Sequence, residues 1–218
     1  MPIIIINICK MNSKSFNQVK HNYDQLSGFY ELLSGRAEST IFQQAVDLLR
    51  SRKIDRLLDI GCGTGKGLIN LIKNNPGATS YIGVDLSFKM CCKALQKHLE
   101  ITNSNALDLP LKTSIFDAVI YSFSIEIIPE ELIKAVLDES FRVLKPGGVV
   151  CIINMADVPG KNLVSGLYIW AHKKFPKVVD CRPISIINFL NEKRFMIIHK
   201  ETQVLYGLPV EITIAEKK

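Results

Sequence analysis

The most constraining feature of this chain is a glycine-rich run that follows a predicted buried strand. Residues 57–65 read Leu-Leu-Asp-Ile-Gly-Cys-Gly-Thr-Gly, which places glycines at Gly61, Gly63 and Gly65. An apolar run that ends in such glycines is typical of a central parallel strand followed by a tight turn and a helix. Glycine also permits positive φ and leaves no Cβ in the way of a ligand. The run therefore predicts an α/β sheet with a ligand site at the turn.

A second strand-like run, residues 81–85, reads Tyr-Ile-Gly-Val-Asp and ends in Asp85. A carboxylate at the end of the second strand is placed to accept hydrogen bonds from both hydroxyls of a ribose. The dinucleotide pattern G-x-G-x-x-G would need glycine where Lys66 stands. A tight strand-to-helix turn alone would explain the glycines, but the pair of runs favours an adenosine ligand without a pyrophosphate.

Length and composition predict one domain spanning residues 1–218, because 47% of the residues are hydrophobic and 22% are charged. No stretch reaches the roughly 18 apolar residues of a membrane span. The net charge of +6 comes mostly from scattered Lys and Arg, and the one local basic group surrounds Lys173, Lys174 and Lys177. A solvated surface explains this charge better than a nucleic-acid partner, so no nucleic acid is expected.

Six cysteines form no C-x-x-C pair and no metal-ligand grouping with the four histidines. We therefore expect a reduced, cytoplasmic protein without a metal. The apolar start at residues 1–8 is too short for a signal peptide and lacks its charged region. Met1 and Met11 both remain candidate starts of translation.

Strand and helix patterns alternate five times along the chain. Predicted helices cover about 40–50, 66–73, 87–99 and 129–144, and predicted strands cover 56–60, 81–84, 100–102, 116–121 and 149–154. Two further strands, 195–205 and 210–215, are too close in sequence for a crossover and must pair antiparallel. The fold class is therefore α/β and Rossmann-like: a seven-stranded, mostly parallel sheet with an antiparallel last strand and helices on both faces.

Five motifs occur in a characteristic order, and they cover roughly residues 20–216. They read Leu-Asp-Ile-Gly-Cys-Gly-Thr-Gly, Gly-Val-Asp-Leu-Ser, Asn-Ala-Leu-Asp-Leu-Pro, Phe-Asp-Ala-Val and Arg-Val-Leu-Lys-Pro-Gly-Gly. In these motifs the chain resembles class I S-adenosylmethionine-dependent methyltransferases. Within that class it is similar to the C-methyltransferase group of ubiquinone and menaquinone biosynthesis. The resemblance implies S-adenosyl-L-methionine as the cofactor.

The resemblance also implies which residues bind the cofactor. They are Asp59, Gly61, Cys62, Gly63, Asp85, Leu86, Asn105, Ala106, Ser122 and Tyr30. Asp59 would order the glycine turn and the amino-acid portion of the cofactor, although it could simply cap the turn. Asn105 stands where the family usually has Asp, which keeps an acceptor oxygen for the adenine amino group without the charge. Ser122 and Phe123 would border the methionine portion, with packing as the alternative.

Two residues are candidate catalytic groups. Glu126 follows the fourth strand inside an apolar sequence and could act as a base, although a surface or helix-start role is the alternative. Tyr23 lies with Tyr30 in an aromatic N-terminal extension, residues 1–36, that we expect to form a lid. His172 is a third option for a base.

An insertion at residues 156–183 contains the only tryptophan, Trp170, and an apolar helical pattern. Its predicted position beside the carboxyl edge of the sheet favours a hydrophobic acceptor pocket, reached from a membrane surface by a quinol or lipid. An ordinary amphipathic helix is the alternative.

The sequence thus favours a methyltransferase for a small-molecule acceptor. A protein or nucleic-acid methyltransferase and a non-catalytic cofactor-binding module of a complex remain alternatives. Tyr121-Ser122-Phe123-Ser124 stands where amino-methylating nucleic-acid enzymes carry an Asn/Asp-Pro-Pro-Tyr-type motif. The acceptor atom and the oligomeric state are not indicated.

Overall fold

The fold is built on one sheet, with helices packed on both of its faces. The computed structural model describes residues 36–74, 78–157, 182–190, 194–205 and 207–218. The helices are α1 (Arg36–Leu49), α2 (Lys66–Asn74), α3 (Phe88–Leu95) and α4 (Glu130–Val143), with short 3-10 turns at Ile125–Ile127 and Ile186–Asn188. The strands are β1 (Arg56–Ile60), β2 (Ser80–Asp85), β3 (Glu100–Asn103), β4 (Phe116–Ser122), β5 (Leu144–Met155), β6 (Phe195–Leu205) and β7 (Leu208–Lys217).

The seven strands lie in the order β3-β2-β1-β4-β5-β7-β6. Neighbouring strands from β3 to β5 are parallel, whereas β7 is antiparallel to both β5 and β6. The predicted mostly parallel sheet with its antiparallel last strand is confirmed. Because the strand order reverses beside β1, the carboxyl ends of β1, β2 and β4 border one crevice, which is where open α/β sheets bind ligands.

A hydrophobic core lies on each face of the sheet. On one face, helix α4 buries Ile133, Val136 and Leu137 against inward residues of β1, β4 and β5. On the other face, α1 and α2 pack with Phe42 and Leu68 against the opposite side of the same strands. Both faces of the central strands are therefore covered, which accounts for their nearly continuous apolar sequences.

The predicted extents of one helix and one strand were wrong. The helix predicted to reach residue 99 begins as expected, with the Ser87 side chain accepting a hydrogen bond from the Met90 N–H, but it ends at Leu95. The chain then turns through His98, whose φ of +60° ends the helix before β3. Helix α4 ends at Val143 and β5 begins directly at Leu144, five residues before the predicted start. An irregularity in the β4–β5 register accommodates Pro146 and the glycines that follow it.

Several predictions fall outside the described residues. The N-terminal lid, with Tyr23 and Tyr30, and most of the insertion, with Trp170, His172 and the basic group, lie there. Their roles stay predictions. Within the described part of the chain, none of the helices combines the length and the apolar character that crossing a bilayer requires.

Candidate functional site

The glycine turn after β1 has the backbone conformation that its sequence predicts. Gly61, Gly63 and Gly65 have φ values of +78°, +54° and +79°. The Gly61 N–H donates to the Val84 carbonyl at 2.8 Å, and the Gly65 N–H donates to the Cys62 carbonyl at 2.9 Å. The turn thus stays tied to β2 while its backbone bends toward α2. Side chains other than glycine rarely adopt these φ values, so this conformation explains the spacing of the glycines.

Asp85, at the end of β2, holds this turn in place. One carboxylate oxygen accepts the Gly63 N–H at 2.8 Å, and the other accepts the Ser87 N–H at 2.8 Å. The carboxylate therefore joins the glycine turn to the start of α3. An ionised carboxylate can accept about four hydrogen bonds, so holding the turn is compatible with holding a ribose.

Asp59 is buried beside the glycine turn, with a side chain that is 2% exposed. Burial, and then the nearby charge of Asp85, raise its pKa to about 7. Its Oδ1 atom accepts no hydrogen bond from the described residues. The N–H groups of Gly61, Gly63 and Gly65 bond to Val84, Asp85 and Cys62 instead. A buried acceptor of this kind fits a bound cationic group.

The loop after β3, where the adenine is expected to bind, lies beside Asp85. The Asn103 amide donates to the carbonyls of Asp85 and Leu86, at 2.9 and 3.0 Å. Leu86 and Ala106 pack, partly buried, against the same core. Asn105 Oδ1 accepts the Leu107 N–H at 3.0 Å, so the oxygen expected to meet the adenine amino group also closes its own loop.

The end of β4 packs directly against the glycine turn. Ser122 is the last residue of β4, and Phe123 follows with an unusual φ of +51°. Ser124 donates from Oγ to the Ile60 carbonyl at 2.7 Å. A Cβ added at Gly61 would lie 2.4 Å from the Ser124 Cβ. Gly61 is therefore required by close packing as well as by φ. Sequence reasoning missed Ser124, whose only signal was its position just past the strand.

Glu126 is buried rather than at the surface, which overturns the surface alternative. Its side chain is 1% exposed, and its Oε1 accepts the Met155 N–H at 3.3 Å. Next to it, Asn154 donates from Nδ2 to the carbonyls of Met155 and Ile184, both at 2.9 Å. Sequence reasoning also missed Asn154, because its role depends on the approach of Ile184 to the end of β5. Glu126 and Asn154 thus both bond to the backbone of Met155 at the end of β5.

The cysteines near the site behave as small apolar residues. Burial raises the pKa of Cys62 well above its ordinary value and raises that of Cys91 to about 12. Both thiols therefore stay protonated at neutral pH, and Cys62 can contribute to a cofactor site through its backbone. Within the described ranges, no group of three or more His, Cys, Asp or Glu side chains is arranged to hold a metal ion.

The central part of this site is similar to a known family. Residues 57–148 match the family model for a methyltransferase domain. This stretch begins in β1 and extends to the glycines of β5, so it contains the glycine turn, Asp85, the loop at Asn105 and the end of β4.

Curated relatives agree with this match. The demethylmenaquinone methyltransferase of Bacillus licheniformis is 34% identical over 144 residues, which cover 63% of this chain and 60% of that protein. The demethylmenaquinone methyltransferase of Oceanobacillus iheyensis is 30% identical over 145 residues, which cover 63% of this chain and 59% of that protein. The matched part of this chain thus spans about three fifths of the length of these relatives.

Solved structures share the fold. The N-methyltransferase NodS of Bradyrhizobium japonicum, solved with S-adenosyl-L-homocysteine, superimposes with a TM-score of 0.68 at 14% identity. The match covers 94% of this chain and 99% of NodS. The comparisons together confirm the predicted resemblance to S-adenosylmethionine-dependent methyltransferases and to their menaquinone group. Residues 57–148 thus resemble the methyltransferase domains of these proteins, and the Cβ-free turn and the unpaired Asp59 oxygen fit S-adenosyl-L-methionine.

Proposed function

We propose that this protein transfers a methyl group from S-adenosyl-L-methionine to a small, hydrophobic acceptor of the quinol or lipid-like kind. The observation that carries the proposal is the glycine turn held by Asp85, in which Gly63 donates to the carboxylate at 2.8 Å. The demethylmenaquinone methyltransferases among the relatives support an acceptor of the quinol type. We place the reaction in the cytoplasm, with contact to a membrane surface where the acceptor is lipid-like.

Different residues of the crevice bind different parts of the cofactor. Asp85 holds the ribose, and Leu86 and Ala106 pack on the adenine. Asp59 accepts a hydrogen bond from the ammonium of the amino-acid portion, because its buried Oδ1 has no other donor among the described residues. The bound cofactor supplies a methyl group activated by a positively charged sulfur. The chain's own task is then to align the acceptor with this methyl group.

Glu126 is the proposed general base. An oxygen or carbon acceptor must lose a proton, and a positioned carboxylate can take it. The Met155 N–H fixes one carboxylate oxygen at 3.3 Å, and burial keeps water away from it. Tyr23 is the second catalytic candidate and Tyr30 a further cofactor contact; both rest on the resemblance, as does the acceptor pocket at residues 156–183.

Methyl transfer is tested with cofactor labelled in the methyl group. The protein is incubated with a reduced demethylmenaquinone analogue, with a lipid extract and with a cytosolic extract, and mass spectrometry locates the label. We expect label in a small hydrophobic product. Label only in protein or nucleic acid, or no turnover by protein that binds the cofactor, would contradict the proposal.

The role of Glu126 is tested by Glu126→Gln, which keeps a carbonyl oxygen to accept the Met155 N–H. We expect kcat to fall about a hundredfold or more, since general base catalysis contributes roughly 10²–10⁴. Glu201→Gln, on the exposed strand β6, is the matched control and should leave kcat unchanged. A Glu126→Gln variant with wild-type kcat would exclude this base.

A further inference from the structure

Asn154, at the carboxyl end of β5, is fully buried and has one polar atom without a partner. Its Nδ2 donates to the Met155 and Ile184 carbonyls, both at 2.9 Å. Its Oδ1 accepts no hydrogen bond from the residues that the structure places. Exchanging the two atoms would set an oxygen against two carbonyl oxygens, so the partners determine the orientation of the amide. A buried acceptor without a donor is unfavourable, and such exceptions call for an explanation.

The residue across the sheet from Asn154 is also unusual. Ser122 pairs with Ile153 in the β4–β5 register, and the Phe123 N–H donates to the Ile153 carbonyl at 2.9 Å. Phe123 therefore lies level with Asn154, and its φ of +51° is strained for an aromatic residue. Strained backbone that the surrounding structure maintains is concentrated at ligand sites. The strained residue and Asn154 thus lie at neighbouring positions where β4 and β5 end.

The surroundings of this point indicate which ligand could bind there. The Asn154 oxygen needs a hydrogen-bond donor. Next to it, the carboxylate of Glu126 accepts a hydrogen bond from the Met155 N–H. An unpaired acceptor oxygen disfavours an anion at this point. The side chains of Ile125, Ile128 and Ile184 near this end are apolar and buried. A neutral, largely apolar ligand with an O–H group meets these conditions.

We propose that Asn154 Oδ1 recognises a hydroxyl group on the methyl acceptor, so that Asn154 determines specificity for hydroxyl-bearing rings. This inference rests on the proposed function and narrows its substrate class. Because the amide is fully buried, the ligand must displace the atoms that cover the end of β5, and its ring is that of the proposed quinol acceptor. The acceptor donates its O–H to Asn154 while its reacting atom faces the cofactor.

The test compares two ring compounds that differ in one donor. Protein saturated with S-adenosyl-L-homocysteine is titrated with 1-naphthol and with 1-methoxynaphthalene, and binding is followed by fluorescence. Wild-type protein should prefer 1-naphthol by about tenfold, which corresponds to about 1.4 kcal/mol. Asn154→Leu should abolish this preference. Thr213→Val is the matched control: Thr213 is buried on the neighbouring strand and bonds to Glu211, and its variant should keep the preference.

The other outcomes overturn the inference. Equal binding of the two compounds to wild-type protein would indicate that a buried water, not a ligand, satisfies Oδ1. If Asn154→Leu still prefers 1-naphthol, another residue recognises the hydroxyl group. Should Asn154→Leu no longer bind S-adenosyl-L-homocysteine, Asn154→Ala removes the same oxygen with a smaller change. Absence of naphthol binding by wild-type protein that binds S-adenosyl-L-homocysteine rejects the ring acceptor alone. Absence of S-adenosyl-L-homocysteine binding rejects the proposed function itself.

Discussion

Replacing Gly61 by alanine tests whether the glycine turn is set by backbone conformation alone or also by the end of β4. The φ of +78° costs an L-residue about 1–2 kcal/mol. The added Cβ would also lie 2.4 Å from the Ser124 Cβ and 2.9 Å from its Oγ. Overpacking of this kind costs about 1–3 kcal/mol. Gly61→Ala should therefore lower the free energy of unfolding by roughly 2–5 kcal/mol.

Gly147 provides a matched control for the backbone part of this cost. Its φ of +74° is nearly the same, and no described atom outside its neighbours lies within 4 Å of an added Cβ. Gly147→Ala should therefore cost only about 1–2 kcal/mol. The difference between the two alanine variants measures the contact with Ser124.

A double variant separates the contact further. Ser124→Gly removes the bond from Oγ to the Ile60 carbonyl, which costs about 1 kcal/mol or more. Combined with Gly61→Ala it should restore about 1–3 kcal/mol relative to the sum of the single variants. Urea unfolding by linear extrapolation gives all four values. Equal costs for Gly61→Ala and Gly147→Ala, together with no coupling to Ser124, would refute the reasoning.

Two further stability predictions concern buried polar groups. Because the pKa of Asp59 is raised from 3.8 to about 7, the folded protein holds this proton more tightly than the unfolded chain, and stability falls as pH rises from about 4 through 7. The stability of Asp59→Asn does not fall in this way, because its amide carries no titrating proton. Its free energy of unfolding relative to wild type should therefore rise by roughly 4 kcal/mol between pH 4 and pH 8. A constant difference would contradict the raised pKa. Tyr121→Phe removes the 2.7 Å bond between the Tyr121 hydroxyl and Ser140 Oγ and should cost about 1 kcal/mol in urea unfolding. Ser140 keeps its bond to the Val136 carbonyl, so a cost above about 3 kcal/mol would indicate a larger rearrangement.

Much of the fold could be predicted because its signals are local. The apolar runs of β1, β2, β4 and β5 and the short gap between β6 and β7 determine strand type and pairing. Helix ends were harder, because His98 ends α3 through a positive φ that histidine seldom adopts. Likewise, residues 145–148 read as a break between helix and strand, yet they lie inside β5, within the register irregularity between the pairs Phe116–Leu144 and Ala118–Val149.

The candidate site divides in the same way. Asp85 and the glycine turn could be read from spacing, because the strands that carry them are neighbours in any sheet of this order. Ser124 and Asn154 could not, since their roles depend on how closely the ends of β4 and β5 approach the turn and Ile184. The burial of Glu126 was equally invisible, because sequence does not show which loop carboxylates fold inward.

The most direct test of the central claim is calorimetric titration of the protein with S-adenosyl-L-homocysteine. Wild-type protein should bind one molecule per chain, and Asp85→Ala should bind at least about a hundredfold more weakly, a loss of roughly 2.7 kcal/mol. Asp108→Ala, which removes an exposed carboxylate from the neighbouring loop, should bind like wild type. Absence of binding by wild-type protein, or equal binding by a folded Asp85→Ala variant, would contradict the assignment of this crevice as the cofactor site.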